Sequence, residues 1–256
     1  MKVFRFLLLL ICLNSCHEKE KKVSKLYHEL HKKLNEISGL TTNSEGKLFA
    51  LNDEDGKIFQ INSADYSIVE TINFKEKGDY EGLTIKGGLF YVLKSNGTVL
   101  KINRTGNILN KYEVQEQFKK FEFEGISYRA GTDELLIACK RTPTENLDSF
   151  INIYSFSFKK LALDALPVIQ IRKSEKFKKF RASGIAVDSA NLYIVSAKSA
   201  QLLIYNLENE NIRTVIGFEA DKLPQLEGVT LGGKEIIIVS EKADNKSAKL
   251  HRFTNH

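Results

Sequence analysis

Apolar residues recur along this chain in short runs that alternate with polar positions. Five runs share one form: LFALND (48–53), LFYVLK (89–94), LLIACK (135–140), LYIVSA (192–197) and IIIVSE (236–241). A glycine stands twelve to fifteen residues before the end of each, in NEISGLT, DYEGLT, FEGISY, ASGIAV and LEGVTL. Turn-forming segments such as NSEGK, KGG, AGTDE, DSAN and LGGK lie between. A third alternating run follows each (KIFQIN, TVLKIN, FINIYSF, LLIYNL, KLHRF), and in four cases a fourth (SIVETINF, NILNKYEV, LPVIQI, IRTVIGF). The period of two, with β-branched and aromatic enrichment, predicts strands and not helices.

The glycines at 39, 82, 125, 184 and 228 are separated by 43, 43, 59 and 44 residues. Four short strands per repeat of about 43 residues predict an all-β fold, a β-propeller of five four-stranded blades. The long third interval predicts an insertion centred on Lys140–Asp148, and six blades fit if it hides a degenerate unit. The last repeat stops after its third strand, and the segment around Lys25–Leu30 is placed to supply the fourth and close the ring. Leu26, Leu30 and Leu34 also have the spacing of an amphipathic helix. Between blades, FKKF occurs at 118–121 and 177–180, with counterparts HKKL (31–34), FKEK (74–77) and ADKL (220–223). In these the apolar residues are expected to anchor the connection while the lysines face water.

The first residues follow other rules. Lys2 and Arg5 precede LLLLICL, an apolar run of secretory length that is too short to span a bilayer. It ends in Leu13-Asn14-Ser15-Cys16, which resembles a bacterial lipobox. The expected organisation is a signal peptide over 1–15, a lipidated Cys16 with a charged tether to 24, and one propeller domain over 25–256. Lipid on Cys16 implies a membrane partner and a place in the bacterial envelope. Only Cys139 would remain in the fold, so no internal disulfide can form. The formal charge is +6, and loss of Lys2 and Arg5 reduces it by two. Such a mild excess, in an exported chain, excludes nucleic acid as the expected partner.

In a propeller the start of each inner strand and the end of the second meet at one mouth of the axis. Two columns of side chains meet there: Ser38, Glu81, Glu124, Ser183 and Glu227 before the glycines, and Asp53, Lys94, Lys140, Ala197 and Glu241 after the second strands. Crowded carboxylates raise one another's pKa unless lysines or a cation neutralise them. The columns read either as interblade salt bridges or as a polar ligand or cation site at the channel mouth, formed by Asp53, Glu81, Lys94, Glu124, Lys140, Glu227 and Glu241. The glycines are expected to allow close backbone approach or unusual dihedrals. Asn52–Gly56 has the oxygens of a calcium loop without its twelfth-position glutamate, and is read as a turn. The histidines, at 17, 28, 31, 251 and 256, form no metalloprotease or triad motif.

Taken together, NEISGLT, DEDG, DYEGLT, FEGISY, SGIA and LEGVTL with IIIVSE resemble the SdiA-regulated family over residues 34–253. That resemblance implies a β-propeller in a bacterial envelope protein. The family name records regulation and supplies no catalytic residue. Two functions stay open: a binding or scaffold module for a small polar ligand, a divalent cation such as calcium or an envelope protein, and a metal-dependent hydrolase of lactonase or esterase type. In the second, a cation held by Glu81, Glu124, Glu227 and Glu241 would activate water.

Overall fold

The computed structural model describes residues 27–243 and 246–254. The signal peptide, Cys16 and the tether expected over 16–24 lie outside the described residues. What is described is a five-bladed β-propeller, and each blade is an antiparallel sheet. Blade 1 comprises β2 (Ile37–Thr42), β3 (Leu48–Asn52), β4 (Lys57–Ile61) and β5 (Ile68–Asn73). Blade 2 comprises β6 (Tyr80–Lys86), β7 (Leu89–Lys94), β8 (Val99–Ile102) and β9 (Ile108–Tyr112). Blade 4 comprises β15 (Gly184–Val187), β16 (Asn191–Ser196), β17 (Gln201–Asn206) and β18 (Asn211–Gly217).

Blade 3 accounts for the 59-residue interval. It holds β10 (Glu122–Arg129), β11 (Glu134–Arg141) and β12 (Phe150–Ser157), and its outer position is split between β13 (Ala162–Leu163) and β14 (Ile169–Arg172), both paired with β12. The extra length lies in two connections. One, before β12, carries the short helix α1 (Glu145–Asp148); the other separates β12 from β14 and contains β13. No sixth blade is hidden there. Arg181 fixes α1 by a two-pronged ion pair with Asp148, at 2.9 and 3.1 Å.

Blade 5 is completed from the other end of the chain. Its strands β19 (Gln225–Gly232), β20 (Glu235–Glu241) and β21 (Lys249–Thr254) are joined by β1 (Tyr27–Glu29), which pairs with β21 as Tyr27 opposite His251 and Glu29 opposite Lys249. The closing segment is therefore a strand. Leu30 continues it, its N–H donating to the Ala248 carbonyl at 2.8 Å, and both Leu30 and Leu34 are buried. Closure leaves no open edge between the first and last blades.

Both faces of every blade are covered, which explains why the strands read as nearly continuous apolar runs. Alternate residues pack toward opposite neighbours. From β3, Leu48 and Ala50 meet Val239 and Leu250 of blade 5, whereas Phe49 and Leu51 meet Phe90 and Val92 of blade 2. Three further layers of the same kind fill the spaces between blades 2 and 3, 3 and 4, and 4 and 5.

The FKKF segments are interblade connections. Each begins as a single 3-10 turn closed by an N–H to carbonyl bond, from Phe121 to Phe118 at 2.9 Å and from Phe180 to Phe177 at 3.0 Å. Phe118, Phe177 and Phe180 are buried while the intervening lysines are exposed. HKKL repeats the turn at Lys32–Leu34. FKEK departs from it: Phe74 is buried, but Lys75 takes a left-handed φ of 57°.

Candidate functional site: an acidic cup on the propeller axis

The inner strands β2, β6, β10, β15 and β19 contact one another in that order, and β19 returns to β2. Their glycines pack around the axis, each against the next blade. A Cβ added to Gly39, Gly82, Gly125 or Gly184 would stand 3.0–3.2 Å from the Cα of the next glycine, and one on Gly228 would stand 3.1 Å from the backbone N of Leu40. Close approach therefore explains all five, and only Gly125 also needs an unusual dihedral, with φ of +123°. The space left between the glycines is about 10 Å³, too little for a row of waters. The axis is plugged, and the mouth above it is a blind cup.

A β-bulge precedes the glycine in four blades. Pairing skips from Ile37 to Gly39, from Tyr80 to Gly82, from Phe123 to Ile126 and from Leu226 to Gly228. The skipped residues are Ser38, Glu81, Glu124 with Gly125, and Glu227. A bulge re-aims a side chain, and here it turns the residue before each glycine into the mouth. Blade 4 differs: the Ser183 hydroxyl is consumed by the backbone, donating to the Leu226 carbonyl and accepting from Ala197 N–H at 3.0 Å.

The cup has a volume of about 200 Å³ and is lined by Ile37, Ser38, Asp53, Glu81, Glu124, Lys140, Gln225, Glu227 and Glu241. Six of the seven site residues expected from the two columns thus converge. Lys94 does not: its ammonium pairs with Glu76 at 3.0 Å and lies against the Tyr80 ring. Lys140 bonds to Glu124, whose second carboxyl oxygen is buried without a donor.

Five carboxyls facing one ammonium in a half-enclosed cup resist ionisation. Burial, then repulsion from Glu124 and Asp79, pushes Glu81 up to about 10. Burial pushes Glu124 up to about 7 against the opposing pull of Lys140. Glu227 is raised well above the usual range by burial and by Glu124. Burial and a shared carboxyl contact with Glu36 bring Glu241 to about 8, and burial with the charges of Asp79 and Glu54 brings Asp53 to about 6. Lys140 keeps its proton above the ordinary range, because Glu124, Glu227 and Glu81 outweigh the burial that opposes its charge.

Two acidic residues of the rim were not among the expected site residues. Asp79 lies with Asp53 and Glu81 so that one carboxylate oxygen from each falls within 4.8 Å of the others. Glu36 touches Glu241 and pairs with Lys242. Both stand three residues before a glycine, as do Glu122, Arg181 and Gln225. The period of two from the glycine-preceding column marks that position, which is the signal that would find them. The DEDG turn is not a calcium loop of its own. Asn52 accepts from Glu54 and Asp55 N–H groups, Asp55 pairs with Lys57, and only Asp53 reaches the cup.

The SdiA-regulated family model matches residues 17–244 of the 256. No curated protein matches the chain. Among solved structures, glutaminyl cyclase from Myxococcus xanthus is similar with a TM-score of 0.61 at 14% identity, over 90% of this chain and 97% of that one. The PQQ-bound aldose sugar dehydrogenase from Streptomyces coelicolor has a TM-score of 0.57 at 10% identity, over 90% and 98%. At these identities the likeness shows the propeller fold alone.

Proposed function

The chain belongs to the SdiA-regulated family, and from that premise we propose that it is a lipid-anchored envelope binding module whose acidic cup takes a cation or the cationic group of a small polar ligand. The observation that carries the reading is the convergence of Asp53, Glu81, Glu124, Glu227 and Glu241 on one blind cavity with a single lysine. Buried charges are ordinarily paired or bound to metal, and one ammonium serves at most a fraction of this set. A blind cup also suits capture better than passage. Ser38, a hydroxyl of the lining, has no partner to activate it, and the lining holds no histidine. These side chains offer cation and ligand binding and no activated nucleophile of their own.

The lipid anchor is supported by the sequence Leu13-Asn14-Ser15-Cys16 behind a short apolar run. A thermal-shift panel of calcium, magnesium, manganese and small diamines tests the binding reading. The expected result is stabilisation of the wild type by at least one cation, and its loss in Glu81→Gln. If no cation shifts the wild type, or all shift Glu81→Gln equally, the reading is wrong.

A further inference from the structure

We propose that the cup holds a hard divalent cation of the calcium class off its axis, at the junction of blades 1 and 2, with Asp53, Asp79 and Glu81 as ligands. This rests on the reading of the cup as a cation site and gives it a place and a chemistry. The three carboxylates come from different structural devices that converge. Asp53 follows β3, and its backbone carbonyl accepts from Tyr80 N–H at 2.8 Å, pinning the end of one blade to the start of the next. Glu81 sits on the bulge of β6. Asp79 is held by Ser95, whose N–H donates to the Asp79 carbonyl at 3.0 Å and whose hydroxyl donates to one carboxylate oxygen.

The oxygens lie within 4.8 Å of one another, a spacing that ligands at about 2.3–2.6 Å from one calcium ion span. All three are hard oxygen donors, with no sulfur or imidazole in the cup lining, so the site suits calcium, magnesium or manganese and not copper or zinc. Two further features point to a ligand. Ser38, 5% exposed, lines the same cavity and its hydroxyl has no partner; one carboxylate oxygen of Asp53 is also buried without a donor. Both groups lack what a bound ion or its water would supply.

Neighbouring lysines are engaged elsewhere: Lys94 with Glu76, Lys140 with Glu124, Lys57 with Asp55. Lys77 borders the open cleft of about 310 Å³ that leads to Asp53 and Asp79 from outside. That cleft is the entry path, and Lys77 its competing charge. An ion here would staple blade 1 to blade 2.

The test is isothermal titration of EDTA-treated full-length protein with calcium chloride, repeated with magnesium chloride. The expected result is one site, weakened at least tenfold in Asp79→Asn and changed less than about threefold in Glu227→Gln, whose carboxyl is not among the three that come within 4.8 Å of one another. Asp79 is exposed, so its variant is expected to fold, which far-ultraviolet circular dichroism checks. Calcium binding that is unchanged in Asp79→Asn but lost in Glu227→Gln overturns this placement and leaves the general reading intact. Absence of binding by either metal overturns the placement, and the general reading then stands or falls with the diamines.

Discussion

Replacing Lys140 with methionine probes how the cup carries its charge. The Lys140 ammonium bonds to Glu124, whose side chain is 5% exposed against 30% for the lysine. Even so paired, the Glu124 carboxyl is pushed by burial from 4.5 up to about 7. The folded protein therefore holds this proton more tightly than the unfolded chain does. The stability that Glu124 contributes falls as pH rises above about 4.5, and this contribution levels off near pH 7, where the folded carboxyl ionises. Without the ammonium the carboxyl keeps its proton to higher pH and the fall continues. One retained proton is worth about 1.4 kcal/mol per pH unit. Wild type and Lys140→Met should then differ little at about pH 5. They should differ by about 1.4 kcal/mol one unit above the wild-type midpoint and by about 2.7 kcal/mol two units above it. Solvent screening at the partly exposed lysine makes these upper bounds. Urea unfolding followed by circular dichroism across that range measures the difference. In a Glu124→Gln background, where this carboxyl cannot titrate, adding Lys140→Met should produce little of this pH-dependent difference. A difference that is the same at every pH, or that survives in the double variant, refutes the reasoning.

The glycine ring gives a sharper contrast. A Cβ at Gly184 would stand 2.7 Å from the Glu227 backbone oxygen, so Gly184→Ala should destabilise by about 3 kcal/mol, whereas Gly131→Ala, with nothing within 4 Å, should stay within about 0.5 kcal/mol in the same denaturation assay. Equal effects would remove close packing as the reason for the repeat. Cys139 is buried and its thiol is pushed up to about 12, chiefly by burial. Its peptide should remain unmodified by iodoacetamide in the native protein and be modified fully in denaturant, as read by mass spectrometry; native labelling would show that the core of blade 3 opens.

Much of the architecture was legible because one geometric requirement repeats. Every inner strand meets the same narrow axis, so Gly39, Gly82, Gly125, Gly184 and Gly228 recur at nearly constant spacing. Every blade is buried on two faces, so each second strand is an apolar run. The side-chain environment of the cup was less legible. LFYVLK and LLIACK end alike, yet Lys140 turns inward to Glu124 while Lys94 turns to Glu76. That choice depends on which carboxylate a neighbouring connection presents, and strand periodicity does not encode it. Nor does it reveal the bulges, which are two-against-one pairings between strands. The insertion of blade 3 was located by length alone; its division into α1 and the connection before β14 follows contacts such as Arg181 with Asp148.

The glycines and the carboxylates form one device. Packing five inner strands around a plugged axis requires residues without side chains, and the bulge beside four of them throws the preceding side chain into the mouth. Nothing in that requirement asks for acid, because Ser183 shows that a hydroxyl bonded to the Leu226 carbonyl and the Ala197 N–H satisfies the same position at no electrostatic cost. Three blades nevertheless carry glutamate there, and Asp53 and Glu241 add two more carboxyls to the same lining. Blade 4, with Ser183 and Ala197, adds no charge to the mouth. The acidic side is therefore set by blades 1, 2, 3 and 5, and Lys140 tempers it at blade 3. The result disfavours the folded state at neutral pH, since burial and mutual repulsion raise the pKa of every carboxyl in the cup. A locally unfavourable arrangement on an otherwise consistent fold marks a place where function, not stability, set the residues. Protons discharge the cup only by occupying its oxygens, whereas a cation discharges it by using them, and Asp53, Asp79 and Glu81 are where the blades bring those oxygens close enough to share one.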